Sequence, residues 1–229
     1  MFIGILIASI ILFSCSFPDV HIEETIENFT DKTNGTFIDT RDSKTYKYVS
    51  IGTQIWMAEN LNYDASGSKC YDEDPANCEK YGRLYDWETA MKACPEGWRL
   101  PTDTEWAILI NFVKNVDTDL VSYLDNYASA KLKATEGWIW HGQVDHIPNG
   151  TDNYGFSALP SGYCSTLYEN GNYVRRYNDI NYVGSWWTAT ERPSGDYVSN
   201  RKMNSGSSSI RSYDIINKND LISARCIKE

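Results

Sequence analysis

The sequence contains no run of lysine or arginine residues, and its overall charge is acidic. Asp and Glu number 31 against 21 Lys and Arg, which gives a formal net charge of −10. A surface of this charge repels the phosphates of DNA and RNA. The composition therefore argues against a nucleic-acid partner.

Catalytic and cofactor motifs are also missing. The sequence has no GxSxG, no HExxH, no glycine-rich phosphate loop and no CxxC. Of the 3 histidines, His21 lies near the N-terminus, and neither His141 nor His146 has a nucleophile partner by motif. We therefore predict a non-catalytic protein without a metal or cofactor. No sequence motif supports the alternative that the protein is a hydrolase of an unrecognised type.

A hydrophobic run long enough to cross a bilayer is absent as well. The apolar stretch Phe2–Phe13 has the length of a signal-peptide core and is too short for a transmembrane helix. The tetrapeptide Leu12-Phe13-Ser14-Cys15 resembles the lipobox of bacterial lipoproteins, in which Cys15 would carry the lipid. Residues 1–15 are then a lipoprotein signal peptide, and the mature protein hangs from a membrane through its N-terminal lipid.

The alternative is an apolar start followed by an ordinary cysteine. No Lys or Arg precedes the apolar run, which leaves the true start codon undetermined. Ser16 follows the cysteine, and in lipoproteins with this pattern a residue other than Asp there permits export to the outer membrane. We expect the protein in the bacterial cell envelope, at the outer membrane or the cell surface.

Two parts follow the signal peptide. Residues 16–36 are polar, acidic and without a sustained hydrophobic period, which is typical of a flexible tether. Residues 37–229 are enough for one domain with a real core. The chain has 16 Tyr and 8 Trp, which favours turn-rich β structure with aromatic packing.

The stretch 81–106 organises this domain. Its pattern predicts a first helix over Trp87–Cys94 behind an Asp86 cap, with Trp87, Ala90, Met91 and Cys94 on one buried face. Thr102 and Glu105 form a capping box for a second helix, which would bury Trp106, Leu109, Ile110 and Val113. Two short amphipathic helices are therefore expected.

Short β candidates surround these helices. Thr45–Val49 and Gln54–Met57 read as a hairpin around a glycine turn. The later candidates are Phe156–Leu159, Ser185–Thr190, Tyr197–Met203, Ser208–Tyr213 and Leu221–Ile227, with Asn170-Gly171 among the breaks. Helices early and strands late predict an α+β fold of two short helices packed on small antiparallel sheets. The segment 131–140 has no clear assignment.

The cysteines predict disulfides in an exported protein. Besides Cys15, the chain has Cys70, Cys78, Cys94, Cys164 and Cys226. Cys70 and Cys78 could close a small loop, and Cys94 on a buried helix face would suit Cys226 in the last strand, which leaves Cys164 as the favoured free thiol. Sequence alone does not fix this pairing.

Several segments together resemble the Fibrobacter succinogenes major paralogous domain. They are DTRDSKTYKYVSIGTQIWMAENLNY (39–63), YGRLYDWETAMKACPEGWRLPTDTEW (81–106), KLKATEGW (131–138), GTDNYGFSALPSGY (150–163), SWWTATE (185–191) and ARCIKE (224–229). The resemblance covers about the whole of 37–229. Proteins of that family are typically bacterial surface or secreted proteins, often lipoproteins, of largely unassigned role.

That family is thought to be similar to the C-type lectin-like fold. The resemblance implies that Trp186-Trp187 lie in the core strand and that a Cys94–Cys226 bridge ties the first helix to the last strand. The calcium-dependent sugar motif does not carry over, because Thr188-Ala189 follow Trp187. Formylglycine-generating enzymes also resemble GWRLPTDTEW, but their late cysteine pair is not matched by the distant Cys164 and Cys226.

Three groups of residues are candidate sites. Asp72, Glu73 and Asp74 could hold calcium, although a solvated acidic loop is favoured. Asn149, Thr151, Asp152 and Asn153 form an oxygen-rich stretch that we interpret as a turn. The aromatic residues Trp138, Trp140, Tyr163, Tyr168 and Tyr173 could form a platform for stacking sugar rings, and core packing is the alternative.

The sequence thus predicts a lipid-tethered, disulfide-braced, lectin-like module that binds polysaccharide or another surface protein. An oxidase related to the formylglycine-generating enzymes and a purely structural envelope protein are the alternatives. Binding is inferred from the fold resemblance.

Overall fold

Two five-stranded sheets and a separate hairpin make up the described part of the chain. The structure is a computed structural model, and it describes residues 34–115, 128–140, 149–192 and 197–229. These residues belong to one compact unit, Lys32–Glu229. The signal peptide with Cys15 and most of the tether 16–36 lie outside the described residues.

The strands are β1 (Gly35–Ile38), β2 (Thr45–Ile51), β3 (Gln54–Met57), β4 (Leu84–Tyr85), β5 (Trp98–Arg99), β6 (Tyr163–Glu169), β7 (Asn172–Asn178), β8 (Val183–Glu191), β9 (Tyr197–Asn204), β10 (Arg211–Asn217), β11 (Ile222–Ser223) and β12 (Ile227–Lys228). The helices are α1 (Pro75–Tyr81), α2 (Trp87–Ala93), α3 (Asp103–Asn115) and α4 (Ala128–Leu132). None of the described helices is long and apolar enough to span a membrane. This is a mixed α+β fold, mostly sheet, as predicted, but with four helices in the described ranges where the sequence predicted two.

The end of the chain completes both sheets. The first sheet has the order β1-β2-β3-β12-β5, and the second has the order β10-β9-β8-β11-β4. Strand β12 pairs antiparallel with β3 and with β5. Strand β11 pairs parallel with β8 and antiparallel with β4. The last eight residues of the chain therefore supply an inner strand to each sheet.

Helix α2 has the predicted cap but a different buried face. The Asp86 carboxylate accepts a hydrogen bond from the Thr89 amide at 2.8 Å. The helix ends at Ala93, and Cys94 has extended backbone. The buried stripe therefore runs through Ala93 instead of Met91, whose side chain is 40% exposed. The prediction that Met91 is buried was wrong.

Helix α3 forms as its capping box predicts. The Glu105 carboxylate accepts from the Thr102 amide at 2.8 Å, and the Thr102 hydroxyl accepts from the Glu105 amide at 3.2 Å. The predicted apolar side is buried at Trp106, Leu109, Ile110 and Val113. This reciprocal arrangement satisfies two amides that the first turn would otherwise leave free.

Helices α1 and α4 were not predicted. Helix α1 occupies the end of the acidic stretch between Cys70 and Cys78, where Asp74 caps it by accepting from the Ala76 amide at 2.9 Å. Pro75 stands at its first position, where a missing amide hydrogen costs nothing. Asp74 and Pro75 are a helix start signal, but the acidic residues of this stretch led to its interpretation as a loop.

Some β candidates also differ from the structure. Phe156–Leu159 is not a strand and makes a single bridge, from Ala158 to Lys133. The candidate 208–213 becomes β10, which begins at Arg211, and 221–227 divides into β11 and β12. Strand β1 starts at Gly35 and so includes the last two residues of the predicted tether 16–36.

Tryptophans fill the space between α3 and the sheets. The ring centroids of Trp56 and Trp106 are 4.9 Å apart, and those of Trp106 and Trp186 are 6.0 Å apart. Phe156 packs edge-on against both Trp56 and Trp106, with centroids at 5.8 Å. All four side chains are fully buried. Trp186 and Trp187 thus lie in the core strand, as the resemblance implied.

Two disulfides brace this core. Cys70 pairs with Cys78, and Cys94 pairs with Cys226 across a sequence separation of 132 residues. Cys164 is a buried free thiol. These are the pairs and the free cysteine that the sequence favoured. The longer bridge joins the end of α2 to the residue before β12.

Candidate functional site

The hairpin β6–β7 projects its tip into solvent. Its strands pair in continuous register from Tyr163↔Asn178 to Glu169↔Asn172. Asn170 and Gly171 connect them with φ of 49° and 82°. Positive φ at both positions is what a type I′ turn requires, and Asn-Gly is its favoured pair. The sequence marked these residues as a break without recognising the hairpin.

Tyr168 and Tyr173 form an exposed aromatic pair near this tip. They are direct cross-strand partners, and their ring centroids are 5.1 Å apart in an edge-on arrangement. Their exposed fractions are 67% and 74%. Each ring therefore keeps most of its surface available for a ligand.

The opposite face of the hairpin is aliphatic. Leu167 and Val174 are also cross-strand partners, one position along from the tyrosines. Because side chains alternate along a strand, they point to the other face, where both are partly exposed. The tip thus offers one aromatic and one aliphatic surface.

The foot of the hairpin is anchored in the domain. Tyr177 packs on Tyr71 with ring centroids at 5.2 Å, and the Cys164 amide donates to the Leu221 carbonyl at 2.8 Å. Gly162, just before β6, has a φ of 66°, and a Cβ there would lie 2.6 Å from the Asn178 carbonyl oxygen. The close backbone approach fixes the direction in which the hairpin leaves the domain.

The structure does not unite the five residues of the predicted aromatic platform. Trp138 is a core residue whose indole nitrogen donates to the Ala158 carbonyl at 3.1 Å. Trp140 is partly buried against Gly206. Tyr163 points to the hairpin face opposite Tyr168, because the two are five positions apart on one strand. The segment 131–140 is not a strand, so Trp138 and Trp140 do not share a strand face.

The acidic stretch near α1 makes structural contacts. Asp74 caps the helix, and Glu73 forms an ion pair with Lys69 at 3.6 Å. Among the residues that the structure describes, no three His, Cys, Asp or Glu side chains cluster as metal ligands would. Asp74 and Glu73 are thus used in contacts within the protein.

The oxygen-rich stretch at 149–153 is a turn with internal hydrogen bonds. The Asp152 carboxylate accepts from the Ser157 amide at 2.7 Å and from the Ser157 hydroxyl at 2.5 Å. The Asn149 side-chain oxygen accepts from the Trp138 amide at 2.9 Å. Asn149 therefore holds the backbone of the core residue Trp138, and Asp152 closes the turn that ends at Ser157.

A buried arginine is the main polar feature that the sequence did not reveal. Arg225 is fully buried, and burial lowers its pKa to about 9. Its guanidinium donates to the Asn60 side-chain oxygen and to the carbonyls of Phe156 and Ser157. It also lies 4.4 Å from the centre of the Phe156 ring. Arg225 thus organises the core and has no route to a ligand.

A buried lysine has a similar structural role. Lys133 is 3% exposed, and burial lowers its pKa to about 8. Its amine donates to the carbonyls of Asn204 at 2.7 Å and Ser207 at 3.1 Å. These two hydrogen bonds hold the turn between β9 and β10. It also lies over the Trp138 ring at 4.6 Å. The motif KLKATEGW is therefore a core motif.

Cys164 offers no support for thiol chemistry. It is fully buried, and burial raises its pKa to about 11. A reactive thiol needs a lowered pKa and access. His21, His141 and His146 lie outside the described residues.

Comparison with known protein families gives a match. A search of curated proteins and a search of solved structures found none. The model of a protein family, the Fibrobacter succinogenes major domain, matches residues 49–228. This range runs from β2 into β12 and includes the hairpin and both disulfides. The chain therefore belongs to the Fibrobacter succinogenes major domain family.

Proposed function

We propose that this protein is a non-catalytic binding module of the bacterial surface, held to the outer membrane by lipid on Cys15. The module binds polysaccharide through the exposed face of the hairpin β6–β7. The observation that carries this proposal is the pair Tyr168 and Tyr173, whose rings are 67% and 74% exposed.

The chemistry of these rings suits sugars. The apolar faces of pyranose rings pack against aromatic rings, and tyrosine adds a hydroxyl for hydrogen bonding. Two large rings paired across the two strands of a hairpin lose little conformational freedom when a ligand arrives. The rings thus present a prepared stacking surface.

A C-type lectin-like architecture is part of the proposal. Its support is the bridge Cys94–Cys226, which joins the end of α2 to the final strand, together with the Trp186-Trp187 core strand. Binding is expected to be independent of calcium, because Thr188 and Ala189 follow Trp187 where the lectins that bind sugar through calcium have Asn-Asp.

A protein partner is the second candidate. Strand β7 pairs with β6 on one side, and its residues 172–176 are exposed. An extended peptide could add to such an edge. An oxidase related to the formylglycine-generating enzymes is disfavoured, because Cys226 is already bonded to Cys94 and is not available to bind copper with Cys164.

A pull-down of the full-length chain on plant-wall polysaccharides and peptidoglycan tests the proposal. The test variant is Tyr168→Thr/Tyr173→Thr, and the matched control is Leu167→Thr/Val174→Thr on the opposite face of the same hairpin. Threonine keeps the strand propensity in both. We expect the test variant to lose about tenfold in affinity, which corresponds to about 1.4 kcal/mol of ring contact. The control variant and the addition of EDTA should leave retention unchanged.

Other outcomes would overturn parts of the proposal. Equal loss in both variants would show that the aromatic face is not the contact. No retention of the parent chain on any glycan would reject polysaccharide binding and favour a protein partner or a structural role. Anchoring has its own test: Cys15→Ser should move the protein from the membrane fraction to the soluble fraction.

A further inference from the structure

An open groove of about 540 Å³ lies at the foot of the hairpin β6–β7. Its walls include Tyr71, Asp179, Tyr182, Lys202 and Asn204. Small-molecule sites in proteins have volumes of about 300–1,000 Å³. The groove is therefore large enough for one or two sugar rings.

The groove is preformed by a braced turn. Asp179 and Asn181 have positive φ, at 59° and 69°, which non-glycine residues rarely adopt. The turn is held from outside: the Tyr81 hydroxyl donates to the Asn181 side chain at 2.6 Å, and the Ile139 amide donates to the Asn181 carbonyl at 2.8 Å. On the other wall, the Ser205 amide donates to a carbonyl of the same turn. A ligand would enter without rearranging the backbone.

Lys202 is the cation of this groove. Its amine lies 4.9 Å from the centre of the Tyr163 ring and 5.7 Å from that of Tyr213. The neighbouring Arg201 is paired with Asp103 at 2.7 Å, whereas no carboxylate of the described residues pairs with Lys202. The ammonium group can make three hydrogen bonds, and the two ring faces do not satisfy them.

The remaining polar groups of the groove complement this cation. Asp179 lies on the groove wall, and burial together with the charge of its carboxylate raises the pKa of Tyr163. The side-chain oxygen of Asn204 is covered and accepts no hydrogen bond within the described part of the chain. Rotation of this amide towards the groove would let it accept from a ligand hydroxyl. The site thus has a free cation and a free acceptor next to aromatic walls.

We propose that this groove binds a hexuronate residue of a polysaccharide. The sugar carboxylate pairs with Lys202, a ring hydroxyl donates to Asn204, and the ring rests against the tyrosine wall. This inference rests on the proposed polysaccharide binding and names its acidic subsite. Because the chain carries a net charge of −10, Lys202 acts as a local contact and does not attract polyanions from a distance.

Calorimetric titration of the full-length chain with digalacturonate tests the groove, with cellobiose as the neutral probe. Lys202→Gln should weaken digalacturonate binding about tenfold or more, and Lys202→Arg should retain it, because the charge is kept. The matched control is Lys228→Gln: Lys228, too, lies over a tyrosine ring, that of Tyr48 at 6.0 Å, but it is on the other sheet. Raising the salt from about 0.05 M to about 0.5 M should weaken uronate binding, since the Debye length falls.

Several outcomes would overturn the groove assignment. They are equal affinity for the acidic and neutral probes, no measurable uronate binding, or equal loss in Lys202→Gln and Lys228→Gln. In each case the hairpin proposal is still judged by its own pull-down, because Tyr168→Thr/Tyr173→Thr leaves Lys202 in place. Conversely, uronate binding that depends on Lys202 but not on the tyrosines would support the groove and reject the hairpin as the contact. A thermal unfolding curve for Lys202→Gln that coincides with that of the parent chain shows that the loss is local.

Discussion

The side-chain oxygen of Asn60 accepts hydrogen bonds from both Nε and Nη2 of Arg225, at 3.1 and 2.8 Å, although 165 residues separate them. The same oxygen accepts from the Trp186 indole nitrogen at 2.8 Å. Within the described part of the chain, no carboxylate pairs with Arg225. A neutral amide and two carbonyls therefore carry the hydrogen bonds of a fully buried cation.

The first prediction concerns this network. Asn60→Leu removes the shared acceptor, which leaves the Arg225 charge and the Trp186 donor without it. We expect the free energy of unfolding to fall by about 3–5 kcal/mol, because a buried charge that loses its partner is strongly destabilising. Denaturant unfolding monitored by tryptophan fluorescence measures the change.

A matched control lies two positions along the chain. The side-chain oxygen of Asn62 has no hydrogen-bond partner in the described part of the chain, so Asn62→Leu should change stability by about 0.5 kcal/mol or less. If the two variants lose equal stability, Asn60 has no special role. Adding Arg225→Met to Asn60→Leu should restore part of the loss, because the charge is then gone.

The second prediction concerns acid stability. The ion pair with Arg99, together with hydrogen bonds from Thr102, lowers the pKa of Glu105 from 4.5 to about 2. A carboxylate whose pKa is lower in the folded state stabilises the fold above its unfolded pKa. That contribution is lost as the pH falls from about 4.5 to about 2.

Glu105→Gln should therefore be less stable than the parent chain at pH 7, and the difference should shrink as the pH falls through that window. Unfolding curves at a series of pH values measure it. Glu88→Gln, in the first turn of α2 and exposed, is the matched control for the loss of one helix N-terminal carboxylate. A constant difference down to pH 2 would contradict the prediction.

The third prediction compares the two disulfides. In the chain-entropy model, a bridge closing a long loop stabilises more than one closing a short loop. The sequence separations are 132 for Cys94–Cys226 and 8 for Cys70–Cys78. Cys94→Ala/Cys226→Ala should cost about 5 kcal/mol, and Cys70→Ala/Cys78→Ala about 2.5 kcal/mol. A larger loss from the short loop, measured by denaturant unfolding, would show that local packing outweighs chain entropy.

The fourth prediction concerns Cys164. Burial raises the pKa of its thiol to about 11, so the thiolate is scarce at pH 8 and is shielded from reagents. Iodoacetamide should leave it unmodified in the native protein and label it in denaturant. Mass spectrometry of the alkylated peptide measures both states. Rapid labelling of the native protein would mean that the foot of the hairpin opens in solution.

The sequence predicted the parts of this fold that have local signals. The Thr102–Glu105 capping box marks α3, since both partners stand within one turn. The favoured disulfide pairs are observed. The burial of Met91 was predicted wrongly because helical spacing alone does not show where a short helix ends. Helix α2 ends at Ala93, and its buried face runs through Trp87, Ala90 and Ala93.

The candidate site was only partly accessible from the sequence. Tyr168 and Tyr173 were among the predicted residues, but their pairing depends on the register across the Asn170-Gly171 turn. The sequence does not distinguish a buried tryptophan such as Trp138 from an exposed one, because tertiary packing decides burial. No local sequence pattern predicts the contact of Lys202 with Tyr163 or that of Asn60 with Arg225, because the partners are far apart in the sequence.

The position of β11 and β12 has a consequence for biosynthesis. Each occupies an inner place in its sheet, yet together they span only residues 222–228. A ribosome that makes the chain from its N-terminus must release these residues before either sheet can close. A truncated chain that ends before residue 222 would lack an inner strand in each sheet and would leave the edges of the neighbouring strands unpaired. We expect cellular proteases to degrade it.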